Sequence, residues 1–535
     1  MTVSLRKDSA AAAGRTSAAA KPLFDRLLVA NRGEIAVRII RACRELGIEA
    51  IAVYSDADED AIHVRAADRA VRIGPAAAAE SYLRVDAIIA AAVETGAQAI
   101  HPGYGFLSEQ PALADACAAA GIVLVGPGIE TLASLGNKLA ARQMAEAAGV
   151  PVVPGTFEPL PVGGDADAAR IADEAERIGF PVLVKAAAGG GGRGMRRVDD
   201  PASLSEAVAS AAREAAAAFG DGSVYLERYV ERARHVEVQL LGDSQGTIVA
   251  LGERDCSTQR RHQKLVEEAP APGLSEVQRR TLHGLGVKVC RTVGLRNAAT
   301  AEFLLTPDGD FWFLEVNARL QVEHGVTELV ADLDLVHEQL WVAAGRALSE
   351  RVLAAAAAAA TPARHAIEVR LSAEDPAHDF APAPGVLTAW TTPAGPGVRI
   401  DAGVDTGSVV SPNYDPLLAK LMVVAADRPQ ALARLVRALD EFEIGGVQTT
   451  LPFHRWLIEQ PGFSDATDLS TDFVARNWQP AELLSAAALR AAEMAALASR
   501  HRPVTSDANG YALVNGRAGP AWWRAGITEA TEQTP

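Results

Sequence analysis

Two spacings of apolar residues along the chain predict its first elements. Short apolar runs at 26–30 and 50–54 predict buried strands, and the apolar residues of 35–46 recur at helical spacing. Strands and helices then continue to alternate, which predicts an open parallel sheet. The later elements of this part are helix 84–95, strand 97–101, helix 111–120 and strand 122–125.

The loop 101–109 leaves the carboxyl end of a predicted strand, where open parallel sheets bind ligands. It reads His-Pro-Gly-Tyr-Gly-Phe-Leu-Ser-Glu. A ligand-binding loop and a tight structural turn both fit this pattern, and both interpretations stay open.

A glycine-rich stretch follows the predicted strand 181–185. Gly189, Gly191 and Gly194 match GxGxxG, but 195–198 reads as a strand and not as the helix of a dinucleotide fold. The glycines therefore cap a hairpin whose backbone N–H groups can approach phosphate oxygens, with Lys185 as a nearby charge. No Gly-Lys dipeptide occurs, which excludes a Walker A loop. We expect this hairpin to act as a mobile lid.

The segment 311–324 begins as an apolar strand and then has a polar residue at every second position. On an extended chain this period aims all the polar side chains at one face, so we predict one site along this strand edge. The polar residues are Glu315, Asn317, Arg319, Gln321 and Glu323.

Two predicted strands joined by a short turn present oxygen ligands to each other. The strand 299–305 contains Glu302, and the next strand contains Glu315 and Asn317. Two carboxylates and an amide oxygen form a set that suits Mg²⁺. A carboxylate pair neutralised by an arginine is the alternative.

The run 253–264 is the densest polar segment of the chain. Charged runs are usually solvated faces, but apolar residues flank this one on both sides. We therefore predict a functional loop here.

Composition narrows the class of protein. A chain of 535 residues is too long for one core, so several subdomains are expected. The content of 49% apolar and 22% charged residues is ordinary for a globular enzyme, and the net charge of −16 argues against nucleic acid as the main ligand. No apolar run is long enough for a membrane span. The four cysteines form no CxxC pair, which favours a reducing cytoplasm over a disulfide framework or a zinc site.

The two ends and one internal run differ in composition from the rest. Residues 1–21 are rich in Ala and Ser and lack the apolar core of a secretory signal, so we expect a disordered leader, with a transit peptide as the alternative. The alanine run 354–360 is interpreted as a tolerated insertion. From residue 479 an alanine-rich helix and a tail fit a docking segment, a reduced extra domain or a disordered end, and these stay open.

Taken together, these motifs resemble those of biotin carboxylases, ATP-grasp enzymes that form the first half of biotin-dependent carboxylases. The resemblance covers roughly residues 23–473. It rests on Ala-Asn-Arg-Gly-Glu-Ile-Ala at 30–36, the loop 101–109, the tetraglycine 189–192 and the runs 253–264 and 315–324.

The resemblance implies the fold class and the domain boundaries. It implies an α/β chain, α+β overall, with an ATP-grasp fold, an N-terminal Rossmann-like parallel sheet, a glycine-rich lid subdomain and a C-terminal biotin-carboxylase subdomain. The expected boundaries are 1–22 for the leader, 23–136 for the N-terminal (pre-ATP-grasp) domain, 137–345 for the ATP-grasp domain with its lid at about 157–229, 346–475 for the C-terminal domain, and 476–535 for the alanine-rich helix and tail.

The resemblance also implies the site residues. The implied catalytic residues are Lys264, Arg319, Glu323 and Arg370, with Glu323 as general base toward bicarbonate and Arg370 near both bicarbonate and biotin. The implied magnesium ligands are Glu302, Glu315 and Asn317. The implied cofactor- and substrate-binding residues are Lys138, Lys185, Gly191, Gly192, Glu227, His235, Gln259 and His262 for the nucleotide, and Gln321 and Val322 for bicarbonate.

The implied reaction is carboxylation of biotin by bicarbonate and ATP, with Mg²⁺ or Mn²⁺, through carboxyphosphate. Biotin is attached to lysine in a Met-Lys-Met context, and no methionine of this chain precedes a lysine. We therefore expect the biotin carboxyl carrier protein and the carboxyltransferase to be separate polypeptides. A homodimer is expected because Arg41, Glu45 and Arg399 match dimer-contact positions of the family, although Pro396 does not.

The final carboxyl acceptor is less constrained. Gly325 and Ala318 stand where acyl-CoA-type enzymes commonly have Pro and Thr, and both patterns also occur in urea- and pyruvate-type relatives. We expect a subunit of an acyl-CoA carboxylase. The alternatives are the same half-reaction in a urea- or pyruvate-type carboxylase, another ATP-grasp ligase, and a catalytically silent scaffold.

Overall fold

A computed structural model describes residues 23–160, 165–187, 195–480, 505–506, 512–514 and 517–518. The chain divides into two compact units, and the described residues up to Trp478, other than Ala377–Asp379, belong to the first. The predicted leader, the tetraglycine and the alanine-rich helix beyond residue 480 lie outside the described residues.

The first sheet has five parallel strands in the order β3-β2-β1-β4-β5, which confirms the predicted open parallel sheet. Its core forms because the predicted helical face, including Ile35, Ile39 and Cys43, packs against buried strand residues such as Leu27. The strands are β1 (Arg26–Val29), β2 (Glu49–Ser55), β3 (Arg69–Gly74), β4 (Ala99–His101) and β5 (Val123–Leu124). The helices are α1 (Gly33–Glu45), α2 (Ile62–Ala66), α3 (Val85–Thr95), α4 (Pro111–Ala119) and α5 (Ile129–Leu135).

The second sheet is small and antiparallel, in the order β7-β6-β8. Pairing of β6 with β7 confirms the hairpin that was predicted on either side of the glycines. The elements of this part are α6 (Lys138–Ala147), α7 (Asp165–Ile178), β6 (Val182–Ala186), β7 (Arg196–Val198), α8 (Leu204–Phe219) and β8 (Val224–Arg228). Asn137 caps α6 by accepting a hydrogen bond from the N–H of Ala140.

The third sheet is the framework of the site and has eight strands in the order β13-β12-β9-β10-β11-β14-β21-β19, with every pair antiparallel. Its strands are β9 (Arg234–Gly242), β10 (Ile248–Arg260), β11 (Gln263–Ala269), β12 (Asn297–Leu305), β13 (Phe311–Asn317), β14 (His365–Ser372), β19 (Val398–Ala402) and β21 (Leu417–Ala425). Helices α9 (Glu276–Thr292), α10 (His324–Ala331), α11 (Leu335–Ala343) and α12 (Glu350–Ala358) accompany it.

The remaining elements of the first unit are short. The strands are β15 (Glu374–Asp375), β16 (Ala381–Pro382), β17 (Gly385–Val386), β18 (Ala389–Thr391), β20 (Val409–Val410) and β22 (Glu443–Gly445). The helices are α13 (Arg428–Glu441), α14 (Leu451–Ile458), α15 (Pro461–Ser464) and α16 (Phe473–Asn477). In the second unit the described strands β23 (Thr505–Ser506), β24 (Ala512–Val514) and β25 (Arg517–Ala518) form a small sheet.

One prediction, the loop at the polar run 253–264, needs correction. The run 253–264 is not a loop but most of the β10–β11 hairpin, with a turn at Arg261 and His262. The alanine run, interpreted as a tolerated insertion, lies mostly in α12, which Ser349 caps, and Val352 of the same helix is fully buried in the core that contains the first sheet.

A membrane-spanning helix, both long and apolar, is not found among the residues that the structure describes.

Candidate active site

One cavity of about 780 Å³ is lined by residues of the second and third sheets, of the loops after β1 and β4, and of the start of α1. The loop 101–109, left open between a turn and a ligand loop, contributes Tyr104, Gly105, Phe106 and Glu109 to its wall. The cavity therefore lies at the carboxyl end of the parallel strands, where open sheets bind ligands.

Glu302 and Glu315 lie directly opposite each other on neighbouring antiparallel strands. Asn317 Nδ2 donates to Glu302 Oε1 at 2.9 Å, and Lys138 donates to Glu315. Burial alone would raise the pKa of Glu315, but Lys138 lowers it below its usual range. Burial acts in the same direction on the pKa of Glu302, and Lys264 and His235 reverse it. Both carboxylates are therefore ionised at neutral pH.

Lys264 joins three carboxylates on three parts of the chain. Its Nζ lies 2.6 Å from Glu237 Oε2, 3.0 Å from Glu302 Oε1 and 2.7 Å from Glu323 Oε1. Arg254, fully buried, supports this group from behind, with its Nε 2.6 Å from Glu237 Oε1. Although burial alone would lower the pKa of Lys264, the carboxylates raise it well above the usual range, so the lysine stays charged.

Glu323 and Arg370 form the next contact beyond Lys264. Arg370 Nη2 lies 3.0 Å from Glu323 Oε2, and Arg370 Nε donates to Glu267 Oε1 at 2.6 Å. Glu323 is fully buried, and burial alone would raise its pKa. Lys264 and Arg370 overcome that effect and lower the pKa of Glu323 well below its usual range. The carboxylate is thus ionised and able to accept a proton.

The five alternating polar residues converge as predicted, but not on one extended strand. Strand β13 ends at Asn317, and Glu323 occupies the N-cap position of α10 with φ −81° and ψ 13°. A turn replaces the strand after Asn317. The residues beyond that point therefore reach the site through the turn, and not through the strand period of two that predicted them. Arg319, Gln321 and the strand residues line the cavity, whereas Glu323 reaches the site through Lys264.

Arg319 is oriented by three side chains and by the Leu320 carbonyl, which accepts from Nη1 at 3.2 Å. Its Nε lies 3.0 Å from Glu109 Oε2, Nη1 donates to Gln321 Oε1 at 3.0 Å, and Nη2 donates to Asn317 Oδ1 at 3.0 Å. Further along the chain, the Val322 carbonyl accepts from the buried Lys420 Nζ at 2.8 Å. The turn that follows β13 is therefore fixed on both sides.

The candidate nucleotide residues form a second buried group at β6 and β8. Glu227 accepts from Lys185 Nζ at 2.8 Å and from Arg142 Nη1 at 2.6 Å. His235 Nε2 lies 3.1 Å from Glu302 Oε2, and Gln259 Nε2 lies 2.8 Å from His235 Nδ1. Each of these positions except Arg142 lines the cavity.

His262 lies at the tip of the β10–β11 hairpin and also lines the cavity. It and Arg261 have positive φ angles of 66° and 47°, which a tight turn between paired strands requires. The polarity of this run predicts a loop, but most of its side chains are buried and paired across strands, as Arg254 is with Glu237. Gly191 and Gly192 lie outside the described residues.

Several residues of the site were missed from the sequence. Glu237 stands in the apolar alternation of β9 and could have been found as a polar residue on a buried face. Glu267 gave the same kind of signal in β11. Arg142 and Lys420, each fully buried, stand in segments whose pattern gives no sign of a site, because their partners come from distant parts of the chain.

The residues present fit a divalent cation. Glu302 and Glu315 are ionised, face each other in register and line the same cavity as Asn317. In the structure their oxygens contact Lys264 and Lys138, so cations already neutralise both carboxylates. A hard cation with oxygen ligands would suit this set.

Family models match three consecutive parts of the chain. "Biotin carboxylase, N-terminal domain" matches residues 23–132. "Carbamoyl-phosphate synthase L chain, ATP binding domain" matches residues 137–351. "Biotin carboxylase C-terminal domain" matches residues 368–476.

Named relatives are similar over most of their length. A biotin carboxylase of Nostoc sp. is 47% identical, over 84% of this chain and 98% of the relative. A pyruvate carboxylase subunit of Methanothermobacter thermautotrophicus is 47% identical, over 84% of this chain and 90% of the relative. The biotin-dependent acyl-coenzyme A carboxylase alpha3 subunit of Mycobacterium leprae is 45% identical, over 85% of this chain and 74% of the relative.

Among solved structures, the biotin carboxylase domain dimer of the Hydrogenobacter thermophilus 2-oxoglutarate carboxylase, in complex with MgADP, ADP and bicarbonate, is similar with a TM-score of 0.79. It is 41% identical, and the match covers 85% of this chain and 97% of that domain.

Proposed function

This chain belongs to the biotin carboxylase family of ATP-dependent ligases, and we propose that it carboxylates the biotin of a separate carrier protein as the first half-reaction of an acyl-CoA carboxylase. Bicarbonate attacks the γ-phosphate of ATP and displaces ADP to give carboxyphosphate, which breaks down to CO₂ and phosphate. The phosphate takes the ureido proton of biotin, and the biotin nitrogen then adds the CO₂.

The observation that carries this proposal is the position of Lys264. Its ammonium group contacts Glu302, a proposed magnesium ligand, and Glu323, the proposed base, at 3.0 and 2.7 Å. A single lysine side chain therefore contacts both the proposed phosphate end and the proposed bicarbonate end of the site. This spacing suits attack of one small anion on a terminal phosphate, and the lysine can reduce the repulsion between the two anions.

Residues around β6 and β8 are suited to bind the nucleotide. Lys138 and Lys185 are the cations of this region and can pair with phosphate oxygens as point charges. Glu227 fixes the Lys185 ammonium group, and His235, Gln259 and His262 line the wall that continues toward the bicarbonate end. Gly191 and Gly192 of the expected lid stay part of this proposal from the sequence alone.

Glu302, Glu315 and Asn317 would bind Mg²⁺ with the nucleotide. When bound, Mg²⁺ neutralises charge on the phosphate oxygens and so supports attack by an anion. The chain's own contribution is to keep both carboxylates ionised, since Lys138 lowers the pKa of Glu315, and Lys264 and His235 that of Glu302, against the effect of burial. The Hydrogenobacter domain, crystallised with MgADP and bicarbonate, supports the same ligands here.

Arg319, Gln321, Val322, Lys264 and Glu323 would bind and activate bicarbonate. The Arg319 guanidinium is planar, and four neighbouring groups orient it, so it can pair with a flat anion through parallel hydrogen bonds. Glu323 would accept the bicarbonate proton, a contribution of roughly 10²–10⁴-fold in rate. Arg370, in contact with Glu323, would hold the oxygen of the biotin ureido group as it becomes an enolate.

The acyl-CoA assignment and the partners rest on the chain's content and on its relatives. No methionine precedes a lysine, so this sequence contains no Met-Lys-Met attachment site for biotin, and a carrier protein and a carboxyltransferase are proposed as separate subunits. The Mycobacterium leprae acyl-coenzyme A carboxylase subunit supports this acceptor class, whereas the Methanothermobacter pyruvate carboxylase subunit supports the second candidate, a pyruvate-type acceptor. The matched family models support a domain boundary near residue 136, whereas the ATP-binding match continues to residue 351, a few residues past the proposed boundary at 346.

A homodimer remains part of the proposal. Arg41 and Glu45 lie on α1, and Arg41 is exposed, where a second copy can reach it. Arg399 is less available for contact with a second copy, because it pairs with Glu328 and Asp401 within the chain.

The acceptor is tested on the complex that copurifies with the tagged full chain from its own cells. We expect labelled bicarbonate to be fixed with acetyl- or propionyl-CoA and not with pyruvate or urea. Fixation with pyruvate alone would contradict the acyl-CoA assignment while leaving the first half-reaction intact.

A further inference from the structure

Arg370 contacts two carboxylates, and it contacts them unequally. Both Nε and Nη2 face Glu267 Oε1, with Nε at 2.6 Å. Only Nη2 reaches Glu323, at 3.0 Å from Oε2. The Nε–Nη2 edge of the guanidinium, one of the edges that can pair with a carboxylate through two nitrogens, is thus occupied by Glu267.

Glu267 is an unusual residue to bury at this position. It is fully buried on β11, directly opposite the fully buried Glu368 of β14. Glu267 Oε2 has no hydrogen-bond partner among the described residues, so this carboxyl group accepts hydrogen bonds there only at Oε1. Burial raises the pKa of Glu267, and Arg370 acts against that rise because its guanidinium donates directly to the carboxylate. Burying a further carboxyl group beside Glu323 costs free energy. Neutralising Arg370 does not require that second carboxyl group, because Arg370 already pairs with Glu323.

We propose that Glu267 is a positioning residue for biotin carboxylation: it occupies the Nε–Nη2 edge of Arg370, so that Arg370 contacts Glu323 through a single nitrogen. This inference rests on the proposed function of Glu323 and Arg370. It gives Arg370 a fixed orientation toward biotin and keeps it from closing on the base.

Loss of the Glu267 carboxylate has a defined consequence. The freed edge of Arg370 can turn to Glu323 and form the two-nitrogen pair that arginine and carboxylate favour. A closer guanidinium makes Glu323 a weaker base and withdraws Arg370 from biotin. The nucleotide end, at Lys138 and Lys185, contacts neither residue and should be unaffected.

Other charged groups also face this part of the site and stay unchanged in the test. Lys264 and Arg254 act on Glu323 from β11 and β10. Glu368 and Lys420 face it from β14 and β21, and Lys420 is paired with Glu34 at 3.2 Å. Any shift of the acid limb of the pH–rate profile on replacing Glu267 is therefore measured with these other charged residues unchanged.

Glu368 supplies the matched control. It is fully buried next to Glu267 in the sheet, but neither of its carboxyl oxygens has a hydrogen-bond partner within the described part of the chain, so it does not orient Arg370. Burial raises its pKa well above the usual range and so favours the neutral carboxyl group. Glu368→Gln makes the same exchange of a carboxyl for an amide group as Glu267→Gln, at a neighbouring side chain that makes no hydrogen bond to Arg370.

The experiment compares Glu267→Gln, Glu368→Gln and wild type in ADP release with Mg-ATP, bicarbonate and free biotin across pH. For Glu267→Gln we expect kcat to fall about tenfold or more, toward the roughly 100-fold that a 1 Å misplacement can cost. The KM for ATP should stay within twofold and the acid limb of the rate profile should move to lower pH. Glu368→Gln should stay within twofold of wild type in kcat.

Wild-type kcat and an unmoved acid limb in Glu267→Gln would overturn the inference, and so would an equal loss in Glu368→Gln. Should Glu267→Gln fail to bind ATP, Glu267→Asp decides: it keeps the charge one methylene farther away, and we expect a partial loss of kcat with the acid limb in place. A wild-type protein without biotin-stimulated ADP release would instead count against the proposed function itself.

Discussion

Replacing Lys264 by methionine should destabilise the protein strongly, because one ammonium group neutralises three buried carboxylates. Its Nζ lies 2.6, 3.0 and 2.7 Å from oxygens of Glu237, Glu302 and Glu323. The side chains of these acids are 0%, 9% and 1% exposed, so water cannot take over the role of the lysine. Methionine keeps most of the length of the side chain and removes the charge.

The size of the effect follows from the geometry. At about 3 Å and an effective dielectric constant of about 20, each pair has a Coulomb energy of roughly 5–6 kcal/mol before desolvation is subtracted. Removing one partner of a buried pair costs about 3–5 kcal/mol net. For a domain of about 150–250 residues, that corresponds to a fall in Tm of roughly 6–20 °C.

The loss of stability in Lys264→Met should depend on pH, and the carboxyl pKa values give the direction of that dependence. Lys264 lowers the pKa of Glu302 and of Glu323 against the effect of burial. Without Lys264, burial should raise the folded-state pKa values of these two carboxyl groups above the unfolded ones. A raised carboxyl pKa gives stability that is present at low pH and lost as pH rises through the folded pKa. The Tm difference between variant and wild type should therefore be larger at pH 8 than at pH 5.

The assay is thermal unfolding followed by circular dichroism at both pH values, with Lys288→Met as control. Lys288 lies on α9, and its Nζ donates to the carbonyl of Gly149 at 3.2 Å in an exposed contact, so its replacement should move Tm by no more than about 2 °C. A Tm of Lys264→Met equal to that of Lys288→Met, or a Tm deficit that does not shrink at pH 5, would contradict the neutralising role of Lys264.

Three further predictions address the nucleotide, the base and the buried histidines. Lys185→Met should weaken ATP binding about tenfold or more in calorimetry, because Lys185 is the paired cation at β6, whereas Lys288→Met should bind ATP as wild type does. Glu323→Gln should lower bicarbonate-dependent turnover by roughly 10²–10⁴-fold and leave ATP affinity within twofold, and unchanged turnover would remove Glu323 as the base. Burial lowers the pKa of His63 and His454 to about 4 and of His101 and His324 to about 3. Their stabilisation is present above the unfolded value of about 6.5 and is lost as pH falls, so Tm should drop between pH 7 and pH 5, and a flat Tm would contradict this.

Much of the fold could be predicted because it follows local patterns. The strand–helix alternation of the first sheet and the helical face of Ile35, Ile39 and Cys43 are encoded within single elements. The antiparallel pair that contains Glu302 and Glu315 was found for the same reason, since a short turn joins its strands.

The errors arose where partners are distant in sequence. The run 253–264 has the polarity of a loop, and only pairs such as Arg254 with Glu237 show that its side chains are buried. The turn after Asn317 depends on contacts such as that of Val322 with Lys420, about 100 residues later, which no local pattern reports. Glu267 was missed because its role depends entirely on Arg370, more than 100 residues away.

The central claim is tested most directly by ADP release from the purified protein with Mg-ATP and bicarbonate, with and without free biotin. We predict that biotin increases the rate and that labelled carbon from bicarbonate is recovered as acid-labile carboxybiotin. A protein that binds ATP but shows neither stimulation nor labelled biotin, with free biotin and with a biotinylated carrier protein alike, would contradict the proposed half-reaction.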